Sequence, residues 1–143
     1  AGPGADAATI AAWTSYGHNL GKAFQIADDI LDYDPRRNAL GKTHGDDFRE
    51  GKMTLPVVLA IEAGTEEEQA FWRRTMSKLD QHEGDLDQAL ATLARRQALD
   101  GALAIARDYA DAAIGALAPF GDTPLLQALR DTARYSVERA ART

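Results

Sequence analysis

Apolar residues recur at three- and four-residue spacing along nearly the whole chain, broken only by two loops, and runs of β-branched residues are almost absent. That spacing puts side chains on one face of an α-helix, whereas a half-buried strand requires alternation. Alanine, the strongest helix former, is abundant, and no segment offers a strand candidate. The expected class is all-α.

The segment from about Ala7 to Tyr33 carries Ile10, Trp13, Leu20, Phe24, Ala27 and Leu31 on one stripe, with Asp6 as N-cap and Pro35 as the stop. From Asp34 to Lys52 the pattern fails among Pro35, Gly41, Gly45, Gly51 and many charged residues, so a long polar loop is expected. Loops of that length in a compact domain are more often functional than idle. A short helix should open near Thr54 to Pro56, where Thr can cap and Pro tolerates the first turn, and run to about Ala63. Thr65 with Glu68, and Asp85 with Gln88, resemble capping boxes that open helices over about 66–80 and 86–98. Another helix is expected over about 99–117, with Leu103, Ala106, Tyr109, Ala110, Ala113 and Leu117 on its stripe. The turn at 119–124 precedes a last helix reaching about Ala141. No repeat or linker divides the chain, and its 143 residues suffice for a core, so a single all-α unit over 1–143 is expected.

Composition narrows the chemistry. Without cysteine there can be no disulfide, thiolate-bound metal or thiol nucleophile, which fits a cytoplasmic protein. No apolar run approaches a membrane span, and the opening residues lack the basic start and apolar centre of a signal peptide. A net charge of −6 without clustered Lys and Arg argues against a nucleic-acid partner. The carboxylates themselves become the place to look.

Asp28, Asp29 and Asp32 form DDILD inside the first helix, where Asp28 and Asp32 lie one turn apart on the same face. Like charges at that spacing destabilise a helix, and here they stand beside Phe24, Ile30 and Leu31, expected to face a core. A hard cation such as Mg²⁺ offsets that repulsion, and it commonly binds one or two carboxylates together with substrate phosphates. Lys42 after Gly41 and Lys52 after Gly51 add the positive charge and open backbone that a diphosphate requires, and Asp46 and Asp47 lie between them. Each part alone has a plainer explanation. The aspartates could be a solvated face, the lysines ordinary surface residues, Gln25 a core polar contact, DDFRE a charge run, and Trp13, Tyr16 and Phe24 core. His18, His44 and His82 have no ligand-like spacing.

The joint pattern is far more specific. From Tyr16 to Ile61 the chain reads YGHNLGKAFQIADDILDYDPRRNALGKTHGDDFREGKMTLPVVLAI. It resembles the second aspartate-rich region of trans-isoprenyl diphosphate synthases, shaped YGxxLGxAFQIxDDxLDYxxxxxxxGKxxGxDxxEGKxTLP. The remainder, ending in YSVERA at 135–140, resembles the bacterial long-chain members that make octaprenyl- or decaprenyl-type diphosphates. The resemblance covers essentially the whole chain but only the C-terminal half of the family.

The resemblance implies the antiparallel helical bundle of the isoprenoid synthases. It also implies a Mg²⁺-dependent prenyltransferase that joins an allylic diphosphate to isopentenyl diphosphate. Carried over, Asp28 matches a direct Mg²⁺ ligand, while Asp29, Asp32 and Asp47 match positions that hold the metal's waters or geometry. Lys42 and Lys52 match the lysines on the allylic diphosphate. Gln25 matches the glutamine of the FQ pair beside the cavity, and Phe24 its neighbour on the wall. The family's first aspartate-rich motif has no counterpart in these residues. The expectation is therefore a chain inactive alone, completed by an N-terminal half in cis or in trans, and homodimeric in the complete enzyme. Three alternatives remain: a non-catalytic or regulatory subunit of a heteromeric prenyl synthase, which would have shed ligands; a terpene cyclase, which usually carries a different second metal motif; and a purely structural helical domain.

Overall fold

The computed structural model describes residues 6–36 and 44–141, and every regular element among them is helical. Helix α1 spans Ala7–Leu31, α2 Asp46–Arg49, α3 Leu55–Ala63 and α4 Glu66–Trp72, the last continuing as a π-helix over Arg73–Ser77. Helix α5 spans Asp85–Arg95 and α6 Ala98–Ala116; a 3₁₀ turn at Ala118–Phe120 precedes α7, Pro124–Ala141. None of these helices is long and apolar enough to cross a membrane.

The chain falls into two compact units. One combines the chain up to Ala27 with the part from Leu103 onward; the other is Asp28–Ala102. In the first, the Thr9 N–H donates to Asp6 Oδ1 at 2.8 Å, so Asp6 caps α1 as expected. Tyr16, Ala113, Leu117, Leu126 and Ala133 form the core of this unit, and the Tyr16 hydroxyl donates to the Leu129 carbonyl at 2.9 Å. The expected stripe on α1 is displaced: Ile10, Trp13 and Phe24 are 56, 39 and 50 % exposed, and the buried face runs through Tyr16, Ala23, Ile26, Ala27 and Ile30. Small residues there allow close packing, while the large ones find partial cover. Trp13 stacks on Phe120, and the Arg139 guanidinium lies 4.3 Å from the Phe24 ring.

The second unit is built on Trp72, Tyr33, Phe48, Val57, Phe71, Met76 and Leu93. Its capping box at Thr65 forms: the Glu68 N–H donates to Thr65 Oγ1 at 3.1 Å. Three expectations need correction. Thr54 stands at the N-cap of α3, but its buried hydroxyl makes no capping bond. Asp85 opens no capping box. Gly84 is the N-cap of α5, and the Asp85 carboxylate instead takes both Arg74 amines at 3.0 Å and the His82 N–H at 2.7 Å. The helix expected over 66–80 widens after Trp72, where Lys78 N–H reaches back five residues to the Arg73 carbonyl at 3.0 Å.

Candidate functional site

DDILD closes α1. The Asp32 N–H donates to the Asp28 carbonyl at 3.0 Å, which keeps the two residues one helical turn apart although α1 ends at Leu31. Asp28 and Asp32 are half-buried, and Asp29 is buried.

The chain then returns to Asp32. The Gly45 N–H donates to the Asp32 carbonyl at 2.6 Å, and the Asp47 N–H donates to Asp32 Oδ2 at 2.9 Å. Gly45 makes that approach in a left-handed conformation, φ 81°. The segment from Asp34 to Lys52 is thus not wholly irregular, as the sequence suggested. The single turn of α2 buries Phe48 against the core of the second unit and sets Asp47 over the end of α1. The Lys52 N–H donates to the Asp47 carbonyl at 2.8 Å, tying the lysine's backbone to the same turn.

Charges converge here. Burial pushes the Asp47 carboxyl above the usual carboxylate range; Asp32, Asp29 and Glu50 push the same way, and Lys52 opposes them. Tyr33 is wholly buried and its hydroxyl makes no hydrogen bond. Burial, reinforced by Asp47, Asp32 and Asp29, holds that phenol protonated far above its ordinary titration range. Tyr33 was missed by sequence reasoning; its signal was its place immediately after the last aspartate of the motif.

Among the described residues no three Asp, Glu or His side chains form a ready-made metal cage. Mg²⁺ does not require one, because it retains waters and fills its octahedron from one or two carboxylates and a ligand's phosphates. The donors fit such an ion: all are hard carboxylate oxygens, and burial together with the neighbouring Asp32 and Asp29 raises Asp47, a cost that a bound cation would offset. Asp28 would hold it, with Asp29, Asp32 and Asp47 at its waters or its geometry; Asp29 is buried, Asp28, Asp32 and Asp47 half-buried.

The remaining expected positions are distributed differently. Lys42 and Gly41 lie outside the described residues. Asp46 pairs with Arg49 at 2.9 Å on the exposed side of α2. Phe24 and Gln25 are exposed and belong to the first unit, where Arg139 Nη2 donates to the Phe24 carbonyl at 3.1 Å.

Comparison with known proteins places these observations. The family model for polyprenyl synthetase matches residues 2–93. The octaprenyl diphosphate synthase of Haemophilus influenzae is 38% identical over 124 residues, covering 87% of this chain and 37% of that protein. The crystal structure of a decaprenyl diphosphate synthase from Rhodobacter capsulatus superposes with a TM-score of 0.86 at 44% identity, over 95% of this chain and 42% of that one. A polyprenyl synthase from Caulobacter crescentus, solved with calcium and isoprenyl diphosphate, gives 0.86 at 45% identity, again over 95% of this chain and 42% of that one. This chain therefore spans about two fifths of the length of the proteins it matches, and its helices are those of the all-α isoprenoid synthase fold.

Proposed function

Because the chain belongs to the polyprenyl synthetase family, we propose that it supplies the second aspartate-rich half of a Mg²⁺-dependent prenyltransferase site. That site condenses an allylic diphosphate with isopentenyl diphosphate into a polyprenyl diphosphate. The observation that carries this reading is the closure of Asp47 onto the Asp32 carboxylate, which gathers acidic oxygens and Lys52 at the end of one helix. The Caulobacter relative's complex with a divalent cation and isoprenyl diphosphate supports the same ligand chemistry.

In this reading Asp28 holds the cation directly, Asp29, Asp32 and Asp47 hold its waters or its geometry, and Lys42 and Lys52 meet diphosphate oxygens. Gln25 and Phe24 border the allylic chain. When bound, Mg²⁺ neutralises charge on the departing diphosphate. The allylic carbon–oxygen bond breaks with its electron pair leaving on oxygen, the isopentenyl double bond attacks the cation, and a proton is lost. The chain's own contribution is preorganised charge where leaving-group charge grows, the arrangement that contributes most when water is excluded. The family's first aspartate-rich motif must come from an N-terminal half, in cis or in trans, so these residues alone should not turn over substrate. The complete enzyme is read as a cytoplasmic homodimer.

A regulatory subunit would be expected to lose ligands; DDILD and Lys52 in its GK pair are intact. The test is isopentenyl incorporation by the complete site, this chain together with the N-terminal half that carries the first aspartate-rich motif, whether joined to it or added in trans, with Mg²⁺ and a short allylic diphosphate. Asp28→Ala should lower the rate by about a hundredfold or more, the scale on which a transition-state charge stabiliser is felt. A wild-type rate of zero, or an unaffected variant, would sink the reading.

A further inference from the structure

The turn that carries Asp47 and Lys52 cannot hold itself. Helix α2 is four residues long, too short to be stable alone, and the carbonyls at its end need partners. The Phe48 carbonyl accepts the Gly51 N–H at 3.0 Å and, from 33 residues away, Gln81 Nε2 at 2.7 Å. The same nitrogen donates to the Thr75 carbonyl in the π-helix at 2.9 Å. A side-chain amide has two N–H donors, and both are used here; with two carbonyls facing it, the nitrogen is the only end of the amide that fits.

Gln81 is itself anchored. Arg74 Nη1 donates to the Asp80 carbonyl at 2.8 Å, and the Arg74–Asp85 pair with the His82 N–H closes the loop on either side of it. The two surfaces it joins are already in close contact: a Cβ on Gly51 would stand 2.7 Å from the Met76 carbonyl and 2.6 Å from Leu79 Cδ2. A π-helical turn, a geometry found frequently at functional sites, thus forms the seat of the turn, and Gln81 fastens it.

We propose that Gln81 is a positioning residue for the metal–diphosphate turn, its carboxamide holding Phe48, and through it Asp47 and Lys52, against the π-helix. This rests on the prenyltransferase reading above and deepens it. No substrate contact is assigned to Gln81; it acts through the main chain of α2.

The experiment uses the complete site, this chain together with the N-terminal half in cis or in trans, with Gln81→Met, which keeps the length and removes both donors, and Gln81→Asn, which keeps the donors on a shorter arm. Gln69→Met is the control, a carboxamide of the same unit whose Nε2 donates to the Ile61 carbonyl of α3 at 3.0 Å. Half-saturating Mg²⁺ and allylic diphosphate should rise about tenfold or more in Gln81→Met, the range typical when an outer partner of metal ligands is lost. The isopentenyl diphosphate constant should stay near wild type, Gln81→Asn should fall between, and Gln69→Met should move none of them. Amide exchange at Gly51 and Lys52 should quicken in Gln81→Met, less in Gln81→Asn and not in Gln69→Met. Active wild type with unmoved constants in Gln81→Met, or constants that shift equally in the Gln69→Met control, overturns the positioning role by itself. An inactive wild type overturns the parent reading, and the positioning role falls with it.

Discussion

The backbone N–H of Asp47 donates to the Asp32 carboxylate at 2.9 Å, so the last aspartate of DDILD anchors the turn of α2 that carries Asp47. Asp32 therefore has two tasks, and different substitutions separate them. Asp32→Asn keeps an acceptor oxygen but loses the charge. It should cost about 1 kcal/mol in stability, the difference between a charge-assisted and a neutral hydrogen bond, and weaken Mg²⁺ binding strongly. Asp32→Ala loses both and should also expose the 44–52 segment to limited proteolysis. Equal protease resistance in the two variants would contradict the anchor.

Gly51 lies at φ 68° with the Met76 carbonyl and Leu79 pressed against it. Gly51→Ala should destabilise by more than about 1 kcal/mol, since the conformation and the space are both wrong for a side chain. Gly21, inside α1 with nothing within 4 Å of an added Cβ, is the contrast; Gly21→Ala should gain about 0.5–1 kcal/mol. Denaturant midpoints moving in opposite directions would bear this out.

Tyr33→Phe removes a buried hydroxyl that makes no hydrogen bond. Stability should be unchanged or higher, whereas Tyr33→Ala, which empties a fully buried site, should cost about 3–5 kcal/mol. A large loss in Tyr33→Phe, read by thermal unfolding, would show that the hydroxyl has a partner after all.

Glu68 is held down to about 2 by Arg96, whose Nε and Nη2 lie 2.8 and 2.9 Å from its oxygens, and by Arg95 at 2.9 Å. Because the folded-state value lies below the ordinary 4.5, its contribution is fully present above about pH 4.5 and is lost as pH falls towards 2. Between pH 5 and pH 3 the wild-type melting temperature should fall more steeply than that of Glu68→Gln. Parallel curves would remove Glu68 from the account.

The helices were legible because their apolar spacing is local, as were the Asp6 cap and the Thr65–Glu68 box, which each involve neighbours within one turn. Helix α2 was not legible: its one apolar residue, Phe48, gives no stripe, and only distant partners make a helix of it. Asp85 was misread for a related reason, since Arg74 competes for a carboxylate that the local pattern assigned to capping. The aspartates and Lys52 could be picked out by spacing, but the orphaned Tyr33 hydroxyl and the Gln81 strut exist only once residues tens of positions apart meet.

The most direct measurement of the central claim is Mn²⁺ binding to the complete site, this chain together with its N-terminal half, by electron paramagnetic resonance, with an unreactive allylic diphosphate analogue present. The account predicts Mn²⁺ bound with the analogue and displaced by Mg²⁺, with at least about a tenfold loss of affinity in Asp28→Ala and in Asp32→Ala. Affinity unchanged in both variants would mean that these aspartates hold no metal, and would contradict the account.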